Sequence, residues 1–381
     1  MKIKQFVQSL PMFLAFGILT MPEIFSSSLY LILSLLLICP FIISNFFDIL
    51  RKHKSLCFFF GYTVFFSVLN IPVANSGLGG TINFIVCFTM AIYLLENPRI
   101  ASNLSFLYCI YIISFLWSRL VVGGDDPNII YEENLGLSRN FPGYLLVAAT
   151  SLWCFTKKEV YNTLPVLVPI LAVILVFFIN GRSSIGAIVL LTFVCIFLRG
   201  GNKFLHIMFL ILLITIICFF YETIEDAVLM SRLVDEGTEN SARDKLWVAY
   251  LSDLNPITFF LGIDSNSIPA LQVYNGNPHN AFLNWHRRMG LIPLLFILYY
   301  CINSLKWYVR NKYIVFALVL SIYLFRIFFD SCSNSTFDFI LYYMLLYPYF
   351  KEKFTTSNEI LNNQINKKFI CKILNITKLL A

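Results

Sequence analysis

The sequence predicts an all-α integral membrane protein, and three observations carry that prediction. The chain is 58% hydrophobic and only 13% charged, whereas a soluble domain carries roughly 25% charged residues. Its apolar residues fall into about twelve runs, most of them close to the ~20 residues that a spanning helix needs. Its lysines and arginines collect in alternate connections between those runs, which is the asymmetry that orients helices in a bilayer.

The runs are 5–22, 28–45, 55–73, 79–95, 102–121, 144–156, 163–180, 185–198, 204–221, 289–305, 313–330 and 338–350. With the N-terminus in the cytoplasm and the runs alternating, the cytoplasmic segments hold Lys2, Lys4, Arg51, Lys52, Lys54, Arg99, Lys157, Lys158, Arg199, Lys203, Lys306, Arg310, Lys312 and every lysine from Lys351 onward. Both termini are then cytoplasmic. The chain divides into nine helices over 1–221, a large outer loop over 222–288, three helices over 289–350 and a basic tail over 351–381. The net charge of +7 follows this topology and is no nucleic-acid signal. MKIK leads into the first span without a small-residue cleavage site. The 10 cysteines lie mostly inside apolar runs and form neither a CxxC nor a Cys/His cluster, so they read as helix-interior residues. No metal site is indicated.

Nine basic residues fall on the outer side against the rule: Arg119, Arg139, Arg182, Arg232, Arg243, Lys245, Arg287, Arg288 and Arg326. All but one are arginines, whose planar fork of donors matches phosphate oxygens better than a lysine does. Snorkelling to the headgroups accounts for any single one. The set calls for an anionic ligand at the outer face. No Asp, Glu, Lys or Arg falls near the centre of a predicted span, which argues against a transporter with a midplane site. Loops longer than roughly 12–15 residues are usually functional or disordered, so 222–288 reads as a lid and half of a site. In the other outer loop, 123–143, Asp125 and Asp126 are adjacent and lack DxD spacing.

Three stretches carry chemistry. In NGRSS, 180–184, Gly181 permits a tight turn, and Ser183 or Ser184 can cap the next helix beside Arg182, a ready anion site. Ser241-Ala-Arg-Asp opens a capped helix on which Arg243, Trp247 and Tyr250 share one face, until Asn255-Pro256 stops it. Asn277-Pro278-His279-Asn280 predicts a third helix start, with Asn277 as cap and Pro278 in the first turn. The helix is expected to run through AFLNWHRRMG into the tenth span. The dipole at its start would keep His279 neutral and able to take a proton from a hydroxyl. His286 shares that helix face but lies about 10 Å along the axis, too far for joint zinc ligation.

NGRSS, SARDKLW with the FFLGID segment behind it, and HNAFLNWHRRMGLIPLL together resemble the O-antigen polymerase/O-antigen ligase superfamily, integral-membrane glycosyltransferases of the GT-C kind. The resemblance implies a bacterial inner-membrane enzyme with its site at the periplasmic face. Its partners would be an undecaprenyl-pyrophosphate-linked oligosaccharide as donor and acceptor, membrane lipids and a chain-length regulator, with no cofactor and no nucleic acid. By matching positions, Arg182 and Arg243 would hold the pyrophosphate, and His279 would orient or deprotonate the acceptor hydroxyl. Asn280, Arg139, Arg288, Trp247 and Tyr250 would contact the substrate. A polymerase is the favoured expectation. A ligase acting on lipid A–core comes next, and a lipid-linked oligosaccharide flippase is a lesser alternative.

Overall fold

The computed structural model describes residues 3–20, 29–74, 78–123, 141–179, 182–199, 242–272, 276–329 and 338–351. Among them every regular element is helical and none is a strand. Helices overlie each predicted apolar run except 204–221, which lies outside the described residues, as do Arg139, Arg232, residues 222–241 and the tail beyond 351. Five of the helices are long and apolar enough to cross a membrane: Leu29–Lys52, Lys54–Ala74, Gly79–Glu96, Pro98–Val122 and Leu291–Arg310. Ser9–Thr20, Leu167–Ile179, Ser183–Phe197 and Ile314–Phe328 are shorter apolar segments.

Burial sorts the helices into inner and outer members. Phe141–Tyr161 is buried at every position from Phe141 to Thr156, and the helix over 338–351 is buried along nearly all its length. A helix apolar on all sides belongs in a core, and these two lie at the centre of the bundle. Pro98–Leu116 packs along Phe141–Tyr161, and Arg182–Phe197 packs on Leu167–Ile179 and Ile314–Phe328. Lys54–Ala74 stands at the periphery, where Phe58, Tyr62 and Phe65 remain exposed.

Polar side chains bind the inner helices to one another. Ser105 and Thr156 share a 2.6 Å hydroxyl contact. The Ser304 and Tyr308 hydroxyls donate to the carbonyls of Leu345 and Met344 at 2.7 and 2.6 Å. In an apolar surround such bonds contribute about 1 kcal/mol each. Rings fill the rest of the centre, as in the stack of Phe59 on Tyr300 at 4.8 Å between centroids.

The two ends of the bundle differ in chemistry. At one end, Glu159 accepts a 2.5 Å hydrogen bond from the Tyr343 hydroxyl and lies 3.7 Å from Lys351 Nζ. His53 stacks on Phe350 at the same end. All the short helices between 242 and 289 sit at the other.

Candidate active site

The site is assembled around the last turns of Ile314–Phe328. Arg326 is fully buried there. Its Nε donates to Ser184 Oγ at 2.8 Å, and its guanidinium lies 5.8 Å from the centroid of the Tyr144 ring. Ser184 sits on the first turn of the helix that begins at Arg182. Gly143 makes this approach possible, because a Cβ there would overlap the Ser184 hydroxyl. Two residues beyond Arg326, Phe328 meets Trp247 edge-on at 5.6 Å and Phe282 at 6.0 Å. The stretches that begin at Arg182, Ser241 and Asn277 therefore all abut one helix end. The backbones of Arg182 and Arg243 are placed at helix starts; their side chains lie outside the described residues.

Ala242–Ser252 forms as expected, with Asp244 in its first turn. Trp247 donates its indole N–H to the Pro278 carbonyl at 2.9 Å, so it holds the turn in front of His279. Tyr250 differs from the expectation of a substrate contact. It is fully buried, and its hydroxyl meets His286 Nδ1 at 2.6 Å. Its place on the helix face shared with Trp247 points it inward, against Leu271 and Ile268. This helix ends at Ser252, just short of the predicted Asn255-Pro256 stop, and Asn255 caps a further short helix, Pro256–Leu261, through a reciprocal capping box with Thr258.

The third start is displaced. Asn277 Oδ1 accepts from the His279 N–H at 2.8 Å, closing a local turn. His279 takes a left-handed conformation with φ 49°. The cap is Asn280, whose side chain accepts from Phe282 and Leu283 N–H at 2.9 and 3.2 Å. The helix is Ala281–Met289 and does not continue into the next span, because Gly290 at φ 86° breaks it before Leu291. His279 stands half-buried, one residue ahead of the cap. Asn280, an expected substrate contact, is buried, and its Oδ1 accepts the two capping N–H groups.

The far side of Ala281–Met289 is a dense polar anchor. His286 Nε2 bonds the Phe259 carbonyl at 2.7 Å. The ring therefore carries its proton on Nε2 and accepts the Tyr250 hydroxyl at Nδ1. Burial holds its pKa below the usual imidazole value and raises that of Tyr250. Arg287 Nη1 donates to Ser265 Oγ at 2.7 Å and to the Gly276 carbonyl at 2.5 Å. Burial, then the adjacent Arg288, lower its pKa to about 9. Arg288 is also lowered by burial, against the opposing pull of Asp338 and Tyr30. Asp338 is buried and accepts the Trp285 indole N–H at 3.2 Å. Of the expected substrate contacts, Arg288 thus lies towards Asp338, and Arg139 is outside the described residues.

His286 and Arg326 were visible in the sequence as outer-side residues without assigned partners, and Asp338 carried no role there. An arginine and an aspartate near the ends of apolar runs were the available signal for two of them. Nothing in the sequence pairs His286 with Tyr250, 36 positions away. Among the described residues no group of three His, Cys, Asp or Glu side chains could hold a metal.

Among the described residues, fold and site together define a helical bundle with membrane-length apolar helices and an arginine-rich polar cluster at one end. Comparison with family models, with curated proteins and with solved structures gave no match.

Proposed function

We propose that the chain is a repeat-unit polymerase of the O-antigen kind. In this reading it has twelve spans with both ends in the cytoplasm, and its site faces the periplasm. It moves a glycan from undecaprenyl pyrophosphate onto the terminal sugar of a second lipid-linked repeat unit. The acceptor hydroxyl attacks the anomeric carbon of the donor, the bond from that carbon to the phosphate oxygen breaks, and the diphosphate leaves. Arg182 and Arg243 would meet the developing negative charge, the largest single contribution in reactions of this type. His279 would take the hydroxyl proton.

The observation that carries this reading is the convergence of the three motif-bearing stretches on the outer end of Ile314–Phe328, tied by Arg326–Ser184, Trp247–Phe328 and Phe282–Phe328. The first lies about 60 residues before the nearer of the other two, and the contacts bring all three to one helix end, which is the placement a shared site requires.

A lipopolysaccharide gel of a deletion strain tests it. Core carrying a single repeat unit is the expected pattern. Bare core with long chains held on the carrier lipid would make the protein the ligase instead. Bare core with repeat units trapped on the cytoplasmic side would indicate a flippase. Complementation with Arg182→Ala, Arg243→Ala or His279→Ala should lower polymer output by about 10²–10⁴-fold, the range for loss of a positioned acid–base or charge-stabilising group. Arg243→Lys should rescue only in part if the phosphate contact is bidentate. Wild-type chain length in all three alanine variants would remove the assignment.

A further inference from the structure

The Pro256–Leu261 helix, PITFFL, buries none of its residues. Ile257, Phe259 and Phe260 are 64%, 45% and 53% exposed. Its fold is nevertheless well defined, since Asn255 and Thr258 close a full capping box at its start and the Gly262 N–H returns to the Thr258 carbonyl at its end. A short helix held this firmly, with its rings turned outward, is built to present them.

Its surroundings identify what it presents them to. The helix packs on Lys54–Ala74 and on Leu291–Arg310, two of the membrane-length helices. Both keep exposed apolar flanks near the contact, with Phe65, Val68 and Leu69 on the first and Leu295 on the second. The rings of PITFFL continue that flank. Polar residues lead away from it on either side, with Ser252 and Asp253 before and Asn266 and Ser267 after, all exposed.

Depth agrees as well. The Asn70 amide bonds the carbonyls of Leu261 and Arg287, and Asn70 lies four residues short of the end of its helix at Ala74. At ~1.5 Å per residue this sets the PITFFL helix about 6 Å below the top of a helix whose length matches the ~30 Å hydrocarbon layer. Interfacial helices seat their apolar faces ~5–10 Å into the headgroup–acyl boundary.

We propose that Pro256–Leu261 is a membrane-dipping helix, with Ile257, Phe259 and Phe260 seated among the acyl chains of the leaflet on the side of the site. Through the Phe259 carbonyl it is joined to His286, and through His286 to Ala281–Met289. The bilayer surface and the helix behind His279 are therefore held in fixed register. The inference stands on the lipid-facing flank and does not depend on the polymerase reading.

Photo-crosslinking tests it. Ile257→p-benzoylphenylalanine and Phe260→p-benzoylphenylalanine are reconstituted into phosphatidylethanolamine–phosphatidylglycerol vesicles, irradiated and weighed intact. The same replacement at Asp253 and Asn266 supplies the controls. Adducts of one phospholipid mass are expected at 257 and 260, with background levels at 253 and 266. Lipid adducts at 257 and 260 no higher than at 253 would overturn the proposal, and so would crosslinking to a second copy of the chain. Wild-type protein irradiated with a phospholipid bearing an acyl-chain diazirine guards against a misfolded variant. Label should map to peptides containing 256–261, and its absence there, with label present on Lys54–Ala74, would equally overturn it.

Discussion

Tyr250 and His286 form a contact on which two helices depend. The imidazole accepts from the tyrosine at one nitrogen and donates to Phe259 at the other, so each partner keeps the other satisfied in a dry setting. Tyr250→Phe strips the buried Nδ1 of its donor, which should lower stability by about 1–3 kcal/mol, read as a drop in melting temperature in detergent. The pair also makes a pH prediction. The folded-state pKa of His286 lies below its unfolded value, so its contribution is complete above about pH 6.5 and is lost as pH falls towards the lower, folded value. Melting temperature should decline on acidification through that window. Because burial is the cause of the shift, Tyr250→Phe, which leaves the ring buried, should keep the acid decline.

The elements between 242 and 289 pack closely on the bundle, and two glycines permit the tightest of these approaches. Gly290 lies at φ 86°, and a Cβ there would come within 2.6 Å of the Phe260 carbonyl. Gly262, at φ 85°, is crowded in the same way by the Asn70 amide and the His286 carbonyl. Gly290→Ala therefore combines a left-handed penalty with a backbone clash, and should cost more than the roughly 1 kcal/mol of a simple glycine replacement. Limited proteolysis should then cut the chain within 253–290 first. Asn70→Leu, which leaves the Leu261 and Arg287 carbonyls without their donor, should produce the same early cut.

How far these elements were legible varies with how local their causes are. The apolar runs marked the helices because burial in lipid or in a helical core needs little beyond ~20 apolar residues. Asn255-Pro256 marked a helix end for the same local reason. NPHN was read with Asn277 as the cap, but the helix is capped by Asn280. Asn280 takes the role because Asn277 spends its oxygen on the His279 N–H, a choice settled by the left-handed backbone at His279. Gly290 sits in a sequence that reads as continuous helix, and only its packing against Phe260 and Leu261 shows why the chain breaks there. The arginines that the predicted topology places on the outer side were visible as a class. Their individual duties were not, because partners such as Ser184 for Arg326 lie on distant helices.

At the scale of the molecule, the two ends of the bundle make opposite predictions for topology. Asp253 is exposed at the end that carries the site, and Lys52 is exposed at the other. A cysteine introduced as Asp253→Cys should react with a membrane-impermeant maleimide in intact spheroplasts, and Lys52→Cys only after the membrane is opened. Labelling of both in intact spheroplasts would contradict the orientation proposed above. Glu159, Tyr343 and Lys351 close the opposite end. Lys351→Met would leave a buried carboxylate with one fewer counter-charge. That should cost more than the ~0–1 kcal/mol of a surface pair, measured again as melting temperature.

The buried helix over 338–351 also bears on how the protein is made. It follows every other described helix in the chain, yet it occupies the centre and touches its neighbours on almost every side. Earlier helices then assemble around a centre that Phe141–Tyr161 fills only in part, with Ser304 and Tyr308 lacking their eventual acceptors. Closure of the core is therefore expected late in biogenesis, and a chain truncated before residue 338 should be more protease-sensitive than the full chain.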